Sequence, residues 1–326
     1  MASLFIVEEG SKVFTKVISD NLPEAFEGSG YIAAYPVEGI KGAYLEPGKP
    51  CIGYTHILLI GSPQFVQKQP ITPSLAYGAY VLSPSQFIPA ESVGWMSQIT
   101  KIATPCTLAS AALNLASNTE VKIPSVLPWG YEYQSPLAIN RTEIRQLLVP
   151  SWDETRPVIL AQSEFTNLIL ASVSRGLPIN VLFLGEAPTN LQTLLDAYSL
   201  KPEQVKYTKS NLAWKASDLY ISLTNNAWPW DATLALSHRL PIAVPKVYAG
   251  ETLTTELGVA IPISAFDMGP TLLAGYTPNS ADIADAINRF LNEPQKMHVL
   301  ANNGEKFFLK RTPKLFTQEL ITALFT

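Results

Sequence analysis

Residues 157–185, PVILAQSEFTNLILASVSRGLPINVLFLG, contain two short apolar runs separated by a helical segment. The runs at residues 157–161 and 180–185 have the composition of strands buried on both faces of a parallel sheet. Between them, residues 166–175 are predicted to form a helix that Gly176 closes. A strand, a helix and a second strand in this order form the repeating unit of a parallel α/β sheet.

The alternation continues through the second half of the chain. Further strands are predicted at residues 204–208, 219–223 and 241–244, and helices at residues 191–198, 212–216, 231–238 and 281–291. Five strands separated by helices predict a doubly wound parallel sheet.

The first half of the chain alternates in the same way. Strands are predicted at residues 3–7, 31–34, 56–60, 80–82, 99–103 and 121–123, and helices at residues 12–21 and 107–116. The predicted fold class is therefore α/β, with two Rossmann-like, doubly wound parallel-sheet domains that face a cleft.

The segment between the two halves is rich in proline and charge. Residues 135–156 include Pro136, Pro150, Trp152 and six charged residues, which is typical of an exposed crossing between domains. The predicted domain limits are residues 1–140 and residues 141–300. The remaining residues, 301–326, are predicted to form a helix that packs back on the first domain.

Composition narrows the class of protein. The 326 residues carry a formal net charge of −4, and 47% of them are hydrophobic, so the chain has ample material for a folded core. The acidic balance argues against a protein that binds nucleic acid mainly through phosphate contacts. The two cysteines, Cys51 and Cys106, are too few for a disulfide scaffold or a zinc cluster, and we expect buried thiols in a reducing compartment.

The sequence contains no pattern typical of a leader peptide or a membrane span. Residues 1–10 lack a basic stretch followed by an apolar run. The longest charge-free candidate for a span, residues 69–90, is interrupted by four prolines. We therefore expect a soluble, cytoplasmic protein.

Two segments carry a family resemblance. The first is residues 95–132, with Thr-Pro-Cys at 104–106 and VLPWGYE at 126–132. The second comprises residues 216–223, ASDLYISL, and residues 231–244, DATLALSHRLPIAV. These segments resemble the ends of the two domains of GT-B glycosyltransferases. The resemblance covers the second half well and the last third of the first half.

The resemblance has functional implications. It implies a nucleotide-sugar donor, such as a UDP- or GDP-sugar, held by the second domain. It also implies an acceptor held by the first domain, with no bound metal or cofactor. The sequence departs from the family pattern at several positions. The family's usual pair of glutamates, with seven residues between them, is replaced here by Asn226 and Leu234. The glycine of its G-x-P segment is replaced by Arg239, and its usual basic residue after the first strand of this domain is absent from residues 162–164.

The loop after the first predicted strand contains two acids. Glu8 and Glu9 precede Gly10 and Ser11, at the carboxyl end of a strand, where α/β sheets bind ligands. Either carboxylate is a candidate for the base that deprotonates an acceptor hydroxyl, with Gly10 and Ser11 on the acceptor side. The alternative is that the acids only favour the N-terminus of the following helix.

The loop at residues 224–231 is the strongest candidate for ligand binding. It joins the end of a strand to the start of a helix, where the family binds its donor. Its polar and aromatic residues suit contacts to hydroxyls and to the faces of bases or sugars; they are Asn225, Asn226, Trp228, Trp230 and Asp231. The alternative is a packed loop in which Asp231 only caps the helix.

Other strand ends in the second half supply further candidates for the donor site. They are Gln162, Ser163, Thr208, Lys209, Gly250 and Glu251. Lys209 and the helix start after Ser163 are placed to meet a phosphate. The alternative for Lys209 is a solvated lysine. Gly250 and Glu251 loosely match a glycine-rich segment that the family has near the donor phosphates.

Several enzyme classes lack support in the sequence. The three histidines, His56, His238 and His298, do not have metal-ligand spacing. His56 begins a strand, away from the expected cleft, and His238 lies late in a helix, where a positive charge favours the helix C-terminus. There is no Gly-x-Ser-x-Gly elbow, Walker loop or Gly-x-Gly-x-x-Gly fingerprint.

Residues 306–316, KFFLKRTPKLF, form a basic and aromatic stretch. Such a stretch is able to contact an anionic membrane or a polyanionic acceptor. The alternative, which we favour, is a terminal helix that packs on the first domain and exposes its lysines.

The predicted function is that of a glycosyltransferase that moves a sugar from a nucleotide-sugar donor to an acceptor hydroxyl. The departures from the family pattern leave inversion and retention open. The alternatives are a sugar-nucleotide-modifying enzyme of the same architecture, such as an epimerase, and a two-domain ligand- or partner-binding protein without catalysis.

Overall fold

The structure is a computed structural model of the whole chain. It describes residues 2–10, 13–24, 26–34, 54–71, 74–82, 88–99, 101–117, 125–127, 140–152, 155–224, 229–246, 253, 257–262, 266–268, 274–276 and 278–326. All statements below concern these residues.

The first sheet has six parallel strands. They are β1 (Ala2–Glu9), β2 (Phe26–Ala34), β3 (His56–Gly61), β4 (Ala76–Val81), β5 (Lys101–Thr104) and β6 (Ser125–Val126), in the spatial order β2-β1-β3-β4-β5-β6. The helices α1 (Val13–Asp20), α2 (Pro63–Gln67) and α3 (Thr107–Ser117) follow β1, β3 and β5. The central strands are apolar because both faces are covered, and residues 57–60 of β3 are completely buried. The predicted strand at residues 121–123 lies outside the described residues.

A helix forms in the segment that the sequence indicated as an exposed crossing. Helix α4 (Arg141–Leu148) begins with a capping box. The side chain of Asn140 accepts from the amide of Thr142 at 2.7 Å, and Glu143 accepts from the amide of Asn140 at 3.4 Å. Ile144 buries one face of this helix. The charges at these positions therefore lie on an amphipathic helix and not on an extended linker.

The second sheet also has six parallel strands. They are β7 (Val158–Gln162), β8 (Asn180–Leu184), β9 (Val205–Thr208), β10 (Leu219–Ile221), β11 (Ile242–Pro245) and β12 (Gly258–Ile261), in the spatial order β12-β11-β10-β7-β8-β9. The described helices of this domain are α5 (Thr166–Val173), α6 (Leu191–Ala197), α7 (Ala213–Ala216), α8 (Trp230–Ser237) and α9 (Ser280–Asn292). A short antiparallel pair, β13 (Phe266–Met268) and β14 (Ala274–Tyr276), lies between β12 and α9 in the chain. The prediction of two doubly wound parallel α/β domains is confirmed, and β12 adds a strand that the sequence did not indicate.

The end of the chain returns to the first sheet. Helix α10 (Pro294–Leu309) packs against α8, and helix α11 (Pro313–Phe325) packs against β4 and β5. Phe316 is completely buried and makes an edge contact with Tyr80, with ring centroids 5.6 Å apart. The ring of Phe325 likewise meets His56 at 5.1 Å. The domain limits at residues 140 and 300 stay predictions.

One hydrophobic core runs from the first domain into the second. It includes Phe14 and Tyr80 of the first domain and Leu160, Trp214 and Tyr220 of the second. Two further clusters lie on the other face of each sheet. The two sheets are therefore joined by packed side chains from one face of each sheet.

Candidate functional site

Both sheets contain a point at which the chain changes the direction of winding. In the second sheet this point lies between β7 and β10, because β8 and β9 extend one side and β11 and β12 the other. In the first sheet it lies between β1 and β3. Ligands of open α/β sheets bind outside the carboxyl ends of the strands at such points. A ligand site is therefore expected among the residues that follow these four strands.

Three hydroxyls converge on one carboxylate at the switch point of the second sheet. The side chain of Asp231 accepts from the hydroxyl of Tyr220 at 2.6 Å and from Ser222 at 2.8 and 2.9 Å. It also accepts from Thr224 at 3.2 Å. Gln162, at the end of β7, donates from Nε2 to the hydroxyl of Tyr220 at 3.3 Å. We call these five residues the Asp231 cluster; it links the carboxyl ends of β7 and β10 to the first turn of α8.

Tyr220 is held in its neutral, donating form. Burial and, after it, the negative charge of Asp231 raise the pKa of the Tyr220 hydroxyl well above its ordinary value. The hydroxyl therefore keeps its proton throughout the physiological pH range.

The role of Asp231 at the helix start differs from the prediction. Helix α8 begins at Trp230 with Pro229 as its N-cap, and no side chain caps it. Asp231 lies in the first turn, and its carboxylate bonds to the side of β10 instead of to the helix amides. Tyr220 of β10, and Ser222 and Thr224 after it, supply three hydroxyl donors, which together outcompete a capping bond.

The backbone of Gly185 lies close to the side chain of Ser163 beside the cluster, at the ends of β7 and β8. Gly185 has φ 122°, and a Cβ at this position would collide with Oγ of Ser163. Ser163 begins a 3-10 turn that leads into α5, and its carbonyl accepts from the hydroxyl of Thr166 at 2.7 Å. Glycine at position 185 therefore lets the start of α5 lie directly against the neighbouring strand end.

Lys209 forms an exposed ion pair at the end of β9. Its ammonium lies 2.5 Å from a carboxylate oxygen of Glu186, and the two side chains are 71% and 79% exposed. The hydrogen bond and charge of Lys209 lower the pKa of Glu186. Thr208 accepts from the amide of Ser210 at 3.0 Å. The lysine is thus at the predicted edge of the sheet, with Glu186 as a partner that the sequence did not indicate.

The two acids that were predicted to lie in a loop are the last two residues of β1, and their side chains point in different directions. Glu8 is buried and accepts from the amides of Phe14 and Thr15, at 3.3 and 2.8 Å, and from the hydroxyl of Thr15 at 2.6 Å. Its carboxylate therefore serves the N-terminus of α1, as the structural alternative predicted. Gly10, which follows, is exposed and has φ 73°, a conformation that suits glycine.

Glu9 instead spans the switch point of the first sheet. Its carboxylate accepts from the amide of Ser62 at 2.6 Å and from the hydroxyl of Ser62 at 3.1 Å. Ser62 follows β3 and is the N-cap of α2. Glu9 is only partly buried, so of the two acids it is the one nearer to solvent at this edge.

The carboxyl edges of the two sheets approach each other at Phe14 and Trp230. The rings meet edge to face, with centroids 4.8 Å apart and an interplanar angle of 86°. Phe14 lies in the first turn of α1, the helix that follows β1 in the chain, and Trp230 begins α8. Trp230, which the sequence indicated as a ligand contact, is therefore at least in part a contact between the domains.

Several predicted site residues cannot be placed against this geometry, because they lie outside the described residues. They are Ser11, Asn225, Asn226, Trp228, Gly250 and Glu251. Five of them follow β10 or β11, the strands on one side of the switch point. Tyr220, Ser222, Thr224 and Ser62 were not named from the sequence, although residues 222–224 extend the apolar strand with alternating hydroxyls.

The basic and aromatic stretch at residues 306–316 is partly packed against the rest of the structure. Within residues 306–316, Phe316 is buried and Phe307 packs against the core. The exposed side chains among those described in this stretch are Lys306, Lys310, Thr312, Lys314 and Leu315. The rings of Phe307 and Phe316 are therefore not available to insert into a bilayer.

His238 does not carry the positive charge expected near the C-terminus of α8. Burial and, after it, the charge of Lys215 lower the pKa of His238 to about 4. Its ring stacks on Trp214 with centroids 6.0 Å apart. At neutral pH the side chain is therefore uncharged.

The described residues contain no candidate metal site, because no group of three or more of their His, Cys, Asp and Glu side chains has a suitable arrangement. In the same part of the chain no helix is both long and apolar enough to cross a membrane.

Solved structures share this architecture along the whole chain. A sucrose-phosphate synthase from Thermosynechococcus elongatus aligns with 99% of this chain and 98% of its own, with a TM-score of 0.63 and 11% identity. The glycosyltransferase AviGT4 of avilamycin A biosynthesis aligns with 99% of this chain and 97% of its own, with a TM-score of 0.52 and 10% identity. The chain has the GT-B fold.

A second group with the GT-B fold consists of epimerases. A UDP-GlcNAc 2-epimerase from Neisseria meningitidis, in a structure bound to UDP-GlcNAc, aligns with 99% of both chains at a TM-score of 0.55 and 11% identity. No protein-family model and no curated protein matches the sequence. The structural similarity over the whole chain establishes the GT-B fold. At identities this low, the reaction has to be argued from the site.

Proposed function

We propose that the protein is a glycosyltransferase that uses a nucleotide-sugar donor. The observation that carries this proposal is the Asp231 cluster, which sets hydroxyls, an amide and a carboxylate at the switch point of the second sheet. Groups of this kind bind the hydroxyls of a sugar or ribose. Enzymes of the GT-B fold that this chain resembles are a glycosyltransferase and a UDP-sugar epimerase, the latter bound to UDP-GlcNAc.

The donor diphosphate is proposed to lie over the ends of β7, β8 and β9. The turn that begins at Ser163 leads into α5, and the close approach of Gly185 keeps this surface free of side-chain bulk. Backbone amides at a helix start favour an anion, and Lys209 supplies a cation at the same edge. Lys209 would leave Glu186 for the phosphate, at small energetic cost because that ion pair is exposed.

The acceptor is proposed to lie on the first domain beside Glu9. A base must reach the hydroxyl that it deprotonates, directly or through one water molecule. The carboxylate of Glu8 is buried and bonded to the start of α1, whereas that of Glu9 is partly exposed at the switch point. Glu9 is therefore the proposed base, and Glu8 is proposed to hold α1 in place.

The test begins with nucleotide binding. UDP, GDP, ADP, TDP and CMP, with their sugar conjugates, are screened for a rise in the melting temperature of the protein. A ligand that binds only the folded state adds about 2.7 kcal/mol of stability at one hundred times its Kd. We expect one nucleotide family to raise the melting temperature, and Ser222→Ala to weaken that effect. No response to any nucleotide at millimolar concentration would contradict the proposal.

Analysis of the reaction products distinguishes a transferase from an epimerase. The epimerase alternative is supported by the similarity to an enzyme bound to UDP-GlcNAc, so UDP-GlcNAc alone is incubated with the protein and followed by NMR. A transferase needs an acceptor and releases nucleotide diphosphate in its presence. An epimerase converts the sugar nucleotide without an acceptor. Binding without either product would favour the binding-protein alternative.

A further inference from the structure

A cavity lies on the opposite edge of the second sheet from the Asp231 cluster. Its volume is about 320 Å³, within the usual range for small-ligand sites. Asp218 precedes β10 and lines the cavity, whereas Ser222 follows β10 and belongs to the cluster. They are four positions apart in extended chain, a distance of about 13 Å. The cavity is thus distinct from the proposed donor site.

Arginine dominates the described lining of this cavity. Arg141 and Arg145 of α4, Arg156 and Arg239 all line it, and Asp218 is the one acidic residue among the described lining residues. Asp218 pairs with Arg141 at 2.7 Å and with Arg145 at 2.5 Å. A guanidinium has five N–H donors, and the described hydrogen bond of Arg141 uses one of them. Donors therefore remain for a bound anion.

Arg239 adopts a backbone conformation that does not suit arginine. It follows the C-cap of α8 with φ 58°, and its amide donates to Leu236 at 2.9 Å. The amide of Leu240 donates to Ala235 at 3.0 Å, which completes a Schellman motif. Glycine is the usual residue at this position, and an arginine there strains the backbone.

Arg239 also forms an ion pair that links it to α10. Arg239 bonds to Glu305 of α10, with side chains that are 41% and 27% exposed. Exposed or half-exposed pairs contribute little to stability. Backbone strain of this kind is found at functional sites, and the strained residue here lines an arginine-rich cavity.

We propose that this cavity is a second ligand site, which binds a small organic phosphate. Arginine is the residue best suited to phosphate, because its planar fork donates two parallel hydrogen bonds to the oxygens. Phe290 and Met297 form an apolar part of the lining, which suits the organic group of a phosphate ester. The site is independent of the proposed glycosyl transfer.

Phenyl phosphate is a suitable probe, because it carries both a phosphate and an apolar ring. Calorimetric titration is expected to detect its binding to the wild-type protein, and phenol is expected not to bind. Arg239→Gly should weaken phenyl phosphate binding about tenfold or more, since it removes charge-assisted hydrogen bonds.

Ser199→Gly is the matched control. Ser199 has φ 52° after α6, in the same capping arrangement, and does not line the cavity. Both glycine variants should raise the melting temperature because both relieve backbone strain, so a loss of binding in Arg239→Gly alone cannot result from unfolding. Unchanged affinity in Arg239→Gly, or no binding by the wild type at millimolar phenyl phosphate, would overturn the proposal. The nucleotide screen is also repeated on Arg239→Gly. An unchanged response to nucleotides in this variant would show that the cavity and the proposed donor site are tested independently.

Discussion

Tyr220 and Asp231 are joined by a hydrogen bond of 2.6 Å that runs from β10, at the switch point of the second sheet, to the first turn of α8. The bond fixes both ends of the connection between β10 and α8. It also excludes Asp231 from capping α8. A single carboxylate therefore organises the strand end, the helix start and the loop between them.

Asp231→Asn tests how much this carboxylate contributes. The amide has one acceptor oxygen for the hydroxyls of Tyr220, Ser222 and Thr224, and it carries no charge. We expect the free energy of unfolding to fall by about 1–2 kcal/mol and nucleotide binding to weaken. Urea denaturation and the thermal-shift screen measure the two effects. Asp285→Asn, on the exposed face of α9, is the control and should change neither.

Much of the fold could be predicted because buried parallel strands are short apolar runs. The strands around residues 158–162 and 180–184 and the helices at 166–173 and 191–197 agree with the prediction within about two residues. Strand β12 was missed, because GVAI at residues 258–261 is too short to stand out from its surroundings. Helix α4 was missed because its charges and flanking prolines are also typical of an exposed crossing, although its capping box indicates a helix start.

The candidate site was harder to predict because it depends on contacts between distant segments. Glu8 and Glu9 could have been separated from the sequence, since adjacent residues of a strand point to opposite faces. Two contacts depend on the order of the strands in the sheets. They are the bond of Glu9 to Ser62 and the ion pair of Lys209 with Glu186. Asp231 was named at the correct helix start, but its partners on β10 decided which bonds it makes.

The close approach at Gly185 makes a second prediction. Gly185→Ala adds a Cβ against Oγ of Ser163 and forces alanine into φ 122°. We expect a loss of about 2–3 kcal/mol in the free energy of unfolding, from the backbone strain and the collision together. Gly176→Ala is the control, because Gly176 has φ 87° with open space around it and should lose only about 1 kcal/mol. Equal losses in the two variants would show that the contact with Ser163 does not matter.

The attachment of α4 to the second domain makes a third prediction. Asp218 accepts from Arg141, from Arg145 and from the amide of Val158 at 2.8 Å, and the side chain of Arg145 is only 12% exposed. Asp218→Ala leaves these donors without their acceptor, so we expect the free energy of unfolding to fall by about 2 kcal/mol or more. Glu186→Ala breaks the exposed pair with Lys209 and should leave stability unchanged in the same denaturation experiment.

The fourth prediction concerns the dependence of stability on pH. His238 has a pKa of about 4 in the folded protein, against 6.5 as its ordinary value, because burial and then Lys215 disfavour its charged form. Between these values the unfolded chain binds a proton at this position and the folded protein does not. Stability therefore rises with pH across this window, and the contribution of His238 is lost as the pH falls from 6.5 to about 4.

His238→Phe isolates this contribution. Phenylalanine keeps an aromatic ring against Trp214 and removes the titration, and Nδ1 of His238 has no hydrogen-bond partner among the described residues. We expect the variant to resemble the wild type at pH 8 and to be more stable than the wild type near pH 5. Some slope should remain, because burial also lowers the pKa of His56. Denaturation curves recorded from pH 4 to 8 measure the difference. Parallel curves for the two proteins across this range would mean that His238 titrates alike in the folded and unfolded chains, and that its stacking on Trp214 does not exclude the charged form.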